Sequence, residues 1–372
     1  MNESLALLVI VVATAIAFDF TNGFHDTANA MATSIATRAL KPRVAVALCA
    51  ILNFAGAFLS IKVAATISSG IVDEGVLDLR TLFAALVGAI AWNLLTWAAG
   101  LPSSSSHALI GGLIGAAIVS AGSGAVKGTA ILEKVVAPAI LAPLICGLAA
   151  LIGTFVAYRM HQGGPGEDTK RAYRYGQVGT ASLVALAHGT NDAQKTMGVI
   201  TLALVAHGTL NQAGAEEFSV PLWVKLVAAT SIALGTYVGG WRIIRTMGHR
   251  LTNIEAPQGF VAEASAASTI LASSYFGYPL STTHVVSGGI LGTGIGKRLA
   301  AVDWGIAGRM VVAWVLTLPA AALVAGLVWE LADAVGSGAT GSVVMAVLAA
   351  IAAIGLFFVT QRQGAVRAAD VA

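Results

Sequence analysis

"NGFHDTANA", residues 22–30, lies inside a stretch that otherwise reads as lipid-facing helix, and "HGTNDAQKT" at 188–196 nearly repeats it. A shift of 166 residues sets Gly23, Asp26 and Met31 on Gly189, Asp192 and Met197. The same shift pairs His25 with Asn191, Ala28 with Gln194 and Asn29 with Lys195. Downstream, "PSSSSHALIGGLIG" (102–115) matches "PLSTTHVVSGGILG" (279–292) at a shift of 177. Pro102, Ser104 and His107 fall on Pro279, Ser281 and His284, and Gly111, Gly112 and Gly115 on Gly288, Gly289 and Gly292. Two motifs recurring in the same order at nearly the same shift mark duplicated halves. The matches are Pro, Gly and polar residues, which apolar helix composition alone would not repeat.

Composition sets the solvent. Hydrophobic residues make up 57% of the 372 and charged residues only 10%, with a mean hydropathy of +0.82. Soluble domains run near a quarter charged, so the chain reads as an all-α polytopic membrane protein. A formal charge of +3, scattered along the chain, gives no footprint for nucleic acid. Cys49 and Cys146 sit in separate apolar runs without ligand partners and read as packing residues. The first residues carry no Lys or Arg ahead of the apolar run, so no cleaved signal peptide is expected.

Loop charge orients the halves. "RALKPR" (38–43) follows the first motif, whereas its counterpart near 208–220 carries Glu216 and Glu217. "VDEGVLDLR" (72–80) precedes the first serine motif, and "RIIRTMGHR" (242–250) precedes the second. Lys and Arg mark the cytoplasmic side, so the halves are expected to run in opposite directions, as an inverted-topology repeat. The expected organisation is a first membrane repeat at 1–160, a cytoplasmic linker at 161–176, a second repeat at 177–334, and an extra span with a tail at 335–372. The N-terminus then lies outside and the C-terminus in the cytoplasm. The segments 5–37 and 177–207 exceed a plain span and contain Asn-Gly or His-Gly, which predicts two discontinuous helices. The Pro- and Ser-rich turns predict two re-entrant helical hairpins, because broken backbone at membrane depth survives only inside protein or against a wet cavity. Ordinary spans are expected at 44–66, 131–158, 221–241, 310–333 and 340–360.

Asp26 and Asp192 lead the candidate residues. A carboxylate at the centre of a span costs about 2.5–3.5 kcal/mol on insertion scales and marks a functional site. Two of them in repeated positions, with Asn29 and Asn191, supply the oxygen ligands a coupling cation needs. A structural ion pair of Asp192 with Lys195, one turn along, is the competing reading. Lys195 breaks the repeat and is expected either to take a cation's place or to face substrate. The tips Ser104–Ser105–Ser106 and Ser281–Thr282–Thr283 place hydroxyls at helix starts, where unpaired N–H groups favour an anion. Simple N-capping is the alternative there. His107 and His284 suit either a proton relay or the support of a turn, and His25 could relay protons beside Asp26. His188, in place of Asn22, divides between site and packing. Glu263, whose repeat counterpart is Leu86, and Asp19 are further intramembrane acids that could bind a cation.

Together these residues describe a coupled transporter of an oxyanion working by alternating access. An uncoupled anion channel fits less well, because paired acids repel an anion. A membrane enzyme is not expected, since no nucleophile and base gather at an interface. "GFHDTANA", "HGTNDAQKTMG", "PSSSSHALIGG" and "PLSTTHVVSGG" resemble the inorganic phosphate transporter (PiT) family, over roughly residues 18–300. The resemblance implies import of inorganic phosphate across the cell membrane, coupled to Na+ or H+, with an inverted-repeat fold and a homodimer surrounded by lipid. It implies no cofactor beyond the coupling ion. It puts Asp26, Asn29, Asn191 and Asp192 at the ion and substrate centre, and Ser104–Ser106 and Ser281–Thr283 on phosphate. The first motif has His25-Asp26 where the family frequently has Asn-Asp. Members with this His include some thought to use protons or to carry neutral metal–phosphate complexes. Sulfate permeases share the family, so sulfate is the alternative substrate.

Overall fold

The computed structural model describes residues 3–161, 166–212, 218–297, 302–336, 339–362 and 364–371, and every regular element among them is a helix. Glu216, Glu217 and part of the linker fall outside these residues. The chain runs through α1 (Glu3–Ala36), α2 (Pro42–Gly56), α3 (Lys62–Ser69), α4 (Leu79–Ala99) and α5 (Ser105–Ala121). A span follows that begins as α6 (Gly128–Ile131), passes through a π-helical turn at Leu132–Val136 and continues as α7 (Ala137–Met160). The same order then recurs: α8 (Glu167–Ala206), α9 (Leu222–Val238), the short α10 (Trp241–Arg245), α11 (Ala256–Phe276), α12 (Thr282–Lys297) and α13 (Trp304–Val335). Last comes α14 (Ala339–Arg362), whose tail is pinned by Arg242, the guanidinium donating to the Thr360 and Gly364 carbonyls. Five of the described helices are long and apolar enough to cross a membrane, six if the bent pair α9–α10 counts as one.

The two sets of elements exchange their contacts. α1 packs on α9 and α8 packs on α2; α4 and α5 pack on α13, whereas α11 and α12 pack on α7. Glycine makes these approaches possible in the same way each time. A β-carbon at Gly23 would stand 2.3 Å from the Ile232 carbonyl oxygen, and one at Gly189 would stand 2.2 Å from that of Asn53. On the hairpins, Gly115 meets the Ala322 carbonyl and Gly292 the Gly147 carbonyl, each with room for hydrogen only. Small residues let membrane helices close to backbone contact, where dispersion and weak polar contacts hold them.

Several expectations are corrected. α1 and α8 are not discontinuous: each runs unbroken through its Asn-Gly or His-Gly. A lone glycine costs a helix only about 1 kcal/mol, and here Gly23 and Gly189 serve close packing instead of a break. The expected span 44–66 is two helices, because α2 stops at Gly56 and α3 starts at Lys62. Gln194 makes that interior start tolerable, its side-chain oxygen accepting from the Val63 and Ala64 N–H groups. The span 221–241 ends at Val238, where Gly239 at φ 76° turns the chain by 59° into α10 and the π turn after it. The segment 161–176 is helical from Glu167 onward. The spans at 131–158, 310–333 and 340–360 lie within observed helices.

Candidate ion and anion site

α1 and α8 bring their repeated motifs to the place where the hairpin tips α4–α5 and α11–α12 meet. Both tips are buried, with Ser103–Ser106 and Ser281–Thr283 at most 2% exposed. They touch each other directly: Ser106 donates to the Leu280 carbonyl at 2.9 Å, and the His107 and His284 rings stand 4.8 Å apart, edge to face. His284 also stacks on Trp314, 4.2 Å away, and its Nδ1 meets the Ala139 carbonyl. Both histidines therefore hold the tips together.

The first carboxylate, Asp26, receives Ser105 Oγ at 2.5 Å and Thr283 Oγ1 at 3.4 Å, one from each hairpin. His25 Nδ1 lies 2.7 Å from Oδ1, the oxygen Thr283 also reaches, and His25 Nε2 meets Thr96 Oγ1 at 3.1 Å. The second, Asp192, is paired with the Lys195 ammonium, accepts from Thr282 at 3.4 Å and has His188 Nε2 at 3.1 Å. His188 is fixed through Nδ1 on Asn53 Oδ1. Lys195 reaches past Asp192 to Ser106 at 2.5 Å and the Leu280 carbonyl at 3.2 Å, so one cation ties α8 to both tips. All these side chains are buried.

The hydroxyls divide their work. Ser104 accepts from the His107 N–H and Ser281 from the His284 N–H, which is capping. Ser105, Ser106, Thr282 and Thr283 instead face the carboxylates, Lys195 and Asn29. Asn29 donates to Thr283 at 2.9 Å and Thr282 at 3.2 Å, and its side-chain oxygen has no partner among the described residues. Asn191 lies off the carboxylates, gripping Ser274 and the Tyr278 carbonyl on the second hairpin; its oxygen is likewise unpaired. Glu263 is held apart from this centre. It accepts from Thr33, Thr180 and Gln177 at 2.6, 2.7 and 3.0 Å, and Thr33 sits two turns, about 10 Å, along α1 from Asp26.

A cation fits the centre. The ligand atoms of Asp26, His188 and Asp192 lie within 4.8 Å of one another, and the spare oxygen of Asn29 is a hard donor of the kind that sodium takes. Two carboxylates set against one ammonium favour a cation at this centre. Asn53 and Thr96 join this network, Thr33, Gln177 and Thr180 hold Glu263, and Gln194 caps α3; none of them was singled out from sequence. The available signal was a polar side chain within an apolar helix, and for Gln194 its place inside the repeated motif. On the loop before α11, outside the spans, Glu255 receives Lys297 at 2.6 Å and the Tyr158 hydroxyl at 2.6 Å. Burial raises its pKa, but these hydrogen bonds and the Lys297 charge outweigh that and hold it below the ordinary value.

Comparison with known proteins points to one family. Residues 22–325 match the model of the phosphate transporter family. The chain is 56% identical over 336 residues to the "probable low-affinity inorganic phosphate transporter" of Mycobacterium tuberculosis (strain H37Rv), covering 90% of this chain and 80% of that one. It is 44% identical to the protein of the same name from Rhizobium meliloti, covering 90% of this chain and all of the relative. A solved structure described as the sodium-dependent phosphate transporter shares the fold, with a TM-score of 0.77 at 23% identity over 88% of this chain and 99% of its own.

Proposed function

The chain belongs to the phosphate transporter family, whose members are transporters and not enzymes, and on that premise we propose that this multi-pass membrane protein is a symporter importing inorganic phosphate with a coupling cation. One observation carries the reading: Asp26 and Asp192, from α1 and α8, meet the hydroxyl tips of both hairpins at one buried point. Phosphate takes the place of the direct tip-to-carboxylate hydrogen bonds. Ser105, Ser106, Thr282 and Thr283 then donate to it, and Lys195 offsets part of its charge. Monohydrogen phosphate keeps one proton to donate, and Asp26 or Asp192 can accept it; sulfate at neutral pH has none. That difference, with the names of the relatives, favours phosphate over sulfate.

Sodium is the coupling ion in this reading, held by Asp26, Asp192 and the free oxygen of Asn29. The fold shared with a sodium-dependent transporter supports it. Anion and cation each relieve the repulsion the other meets, so they bind cooperatively and transport is coupled. Access alternates as one body of helices moves against the other around the centre. The exchanged contacts of the recurring element order support two inverted halves, with the linker and both basic flanks in the cytoplasm and the N-terminus outside. The outer faces of α7, α13 and α14 carry exposed Leu, Ile, Val and Phe, which meet lipid, and a homodimer belongs to the same reading.

The test is uptake of labelled phosphate into proteoliposomes, with a sodium or a proton gradient imposed separately and excess sulfate as competitor. Sodium-driven uptake resistant to sulfate is expected. Proton-driven uptake would refute sodium coupling and make His25 the partner of the acids. Strong competition by sulfate would refute the choice of anion.

A further inference from the structure

One buried acid takes no part in the centre. Asp19 is 0% exposed and sits two turns before Asp26 on α1, about 10 Å along the axis, on the side away from Thr33 and Glu263. Among the described residues, neither of its carboxylate oxygens has a hydrogen-bond partner. Asn22, one turn on and 0% exposed, has neither its side-chain oxygen nor its nitrogen paired, and the hydroxyl of Thr196 on α8 is unpaired too. Asn22 and Thr196 are the polar side chains set against the Asp19 carboxylate, and Asp192 and Lys195 act on it electrostatically. The other intramembrane acids differ. Asp26 has His25, Ser105 and Thr283; Asp192 has Lys195; Glu263 has three donors.

An ionised carboxylate with no ion pair, and with only the Asn22 amide and the Thr196 hydroxyl set against it, is expensive in an apolar interior. What neutralises it must come from outside the chain. Its neighbours say which kind of group that is. A bound proton would need one acceptor and would satisfy one oxygen. Asp19, Asn22 and Thr196 instead present two carboxylate oxygens, an amide oxygen and a hydroxyl, all without partners. That is a set of hard oxygen donors, as an alkali or alkaline-earth cation takes. With a single carboxylate, a monovalent ion leaves the cluster neutral, whereas a divalent ion leaves it charged in a low-dielectric surrounding.

We propose that Asp19, Asn22 and Thr196 form a second cation site, for a monovalent metal ion of sodium's kind, on the N-terminal flank of the central site. Thr196 adjoins Lys195 in sequence, and Asp19 feels both Asp192 and Lys195, so an ion bound there is coupled to the charge of the centre. The site does not depend on which anion is carried.

Equilibrium binding of 22Na+ to the full chain in lipid nanodiscs, without phosphate, tests it. Wild type is compared with Asp19→Asn and Thr196→Val. Asp19→Asn should bind one sodium ion fewer per chain, and Thr196→Val should weaken the same ion about tenfold. An unchanged sodium count and affinity in Asp19→Asn would overturn the proposal, as would a wild type that binds no sodium. If Asp19→Asn fails to fold, Thr196→Val carries the test by its affinity. Phosphate uptake by the wild type, measured in parallel, reports separately on the transport reading, since a chain that binds sodium at Asp19 but moves no phosphate would refute that reading alone.

Discussion

Replacing Lys195 by Gln separates charge from structure at the centre. The ammonium joins Asp192, Ser106 and the Leu280 carbonyl, so α8 and both hairpin tips meet on it. Gln keeps a donor for Ser106 or Leu280 but removes the positive charge. Asp26 and Asp192 then face each other with ligand atoms within 4.8 Å and no fixed ammonium between them. At an effective dielectric constant of about 20, two like charges at that separation repel by about 3.5 kcal/mol. The same field attracts a cation and repels an anion. Each 1.4 kcal/mol is about a factor of ten, and part of the field is screened. The expected result is therefore roughly ten- to hundredfold tighter binding of the coupling cation without phosphate, and phosphate binding weakened by a similar factor at low cation concentration. Equilibrium binding of 22Na+ and of labelled phosphate to the nanodisc-embedded protein measures both. Opposite shifts support the charge argument. A parallel loss of both affinities would refute it and reduce Lys195 to a structural pin.

Asp26→Asn should weaken both ligands, because Asp26 contacts the cation directly and orients Ser105 and Thr283; cation and phosphate binding isotherms check this, and an effect confined to one ligand would count against it. Gly292→Leu should destabilise the protein by at least about 2 kcal/mol through overpacking, since a β-carbon there would stand 2.0 Å from the Gly147 carbonyl; a thermal-unfolding midpoint in detergent reads it out. Glu255→Ala removes the capping box that Glu255 forms with Gln258 at the start of α11, and should cost about 0.5–2 kcal/mol, again visible in the midpoint. Because Glu255 is held below its ordinary pKa, its stabilisation is present above the unfolded value and is lost as pH falls through the folded one. The wild-type midpoint should show no Glu255-dependent change between about pH 6 and 8 and a loss only below about pH 4, which the difference between wild type and Glu255→Ala across a pH series would reveal.

The repeated motifs made the centre legible, because polar residues inside apolar runs have few reasons to exist. Asp26, Asp192, Lys195 and both serine tips were readable for that reason. The glycines misled. Gly23 and Gly189 carry the same letter whether they break a helix or admit a neighbour, and only the Ile232 and Asn53 carbonyls decide between the two. The break after α2 was hidden because the side chain that makes it tolerable, Gln194, lies more than a hundred residues away. Glu263 was readable as a buried acid, but its donors Thr33, Gln177 and Thr180 come from two other helices that no local pattern links to it.

The exchanged packing of the hairpins has a consequence for how the chain is made. The first hairpin, α4–α5, finds its seat on α13, which is synthesised last but one among the helices, while the second closes on α7, made long before it. When the first half leaves the ribosome, its serine tip has Asp26 but still lacks Lys195 and the second tip. It must wait at the translocon or against lipid until the chain is nearly finished. The two halves cannot mature one after the other. They lock together in a late step, and the buried centre comes into being only at that moment.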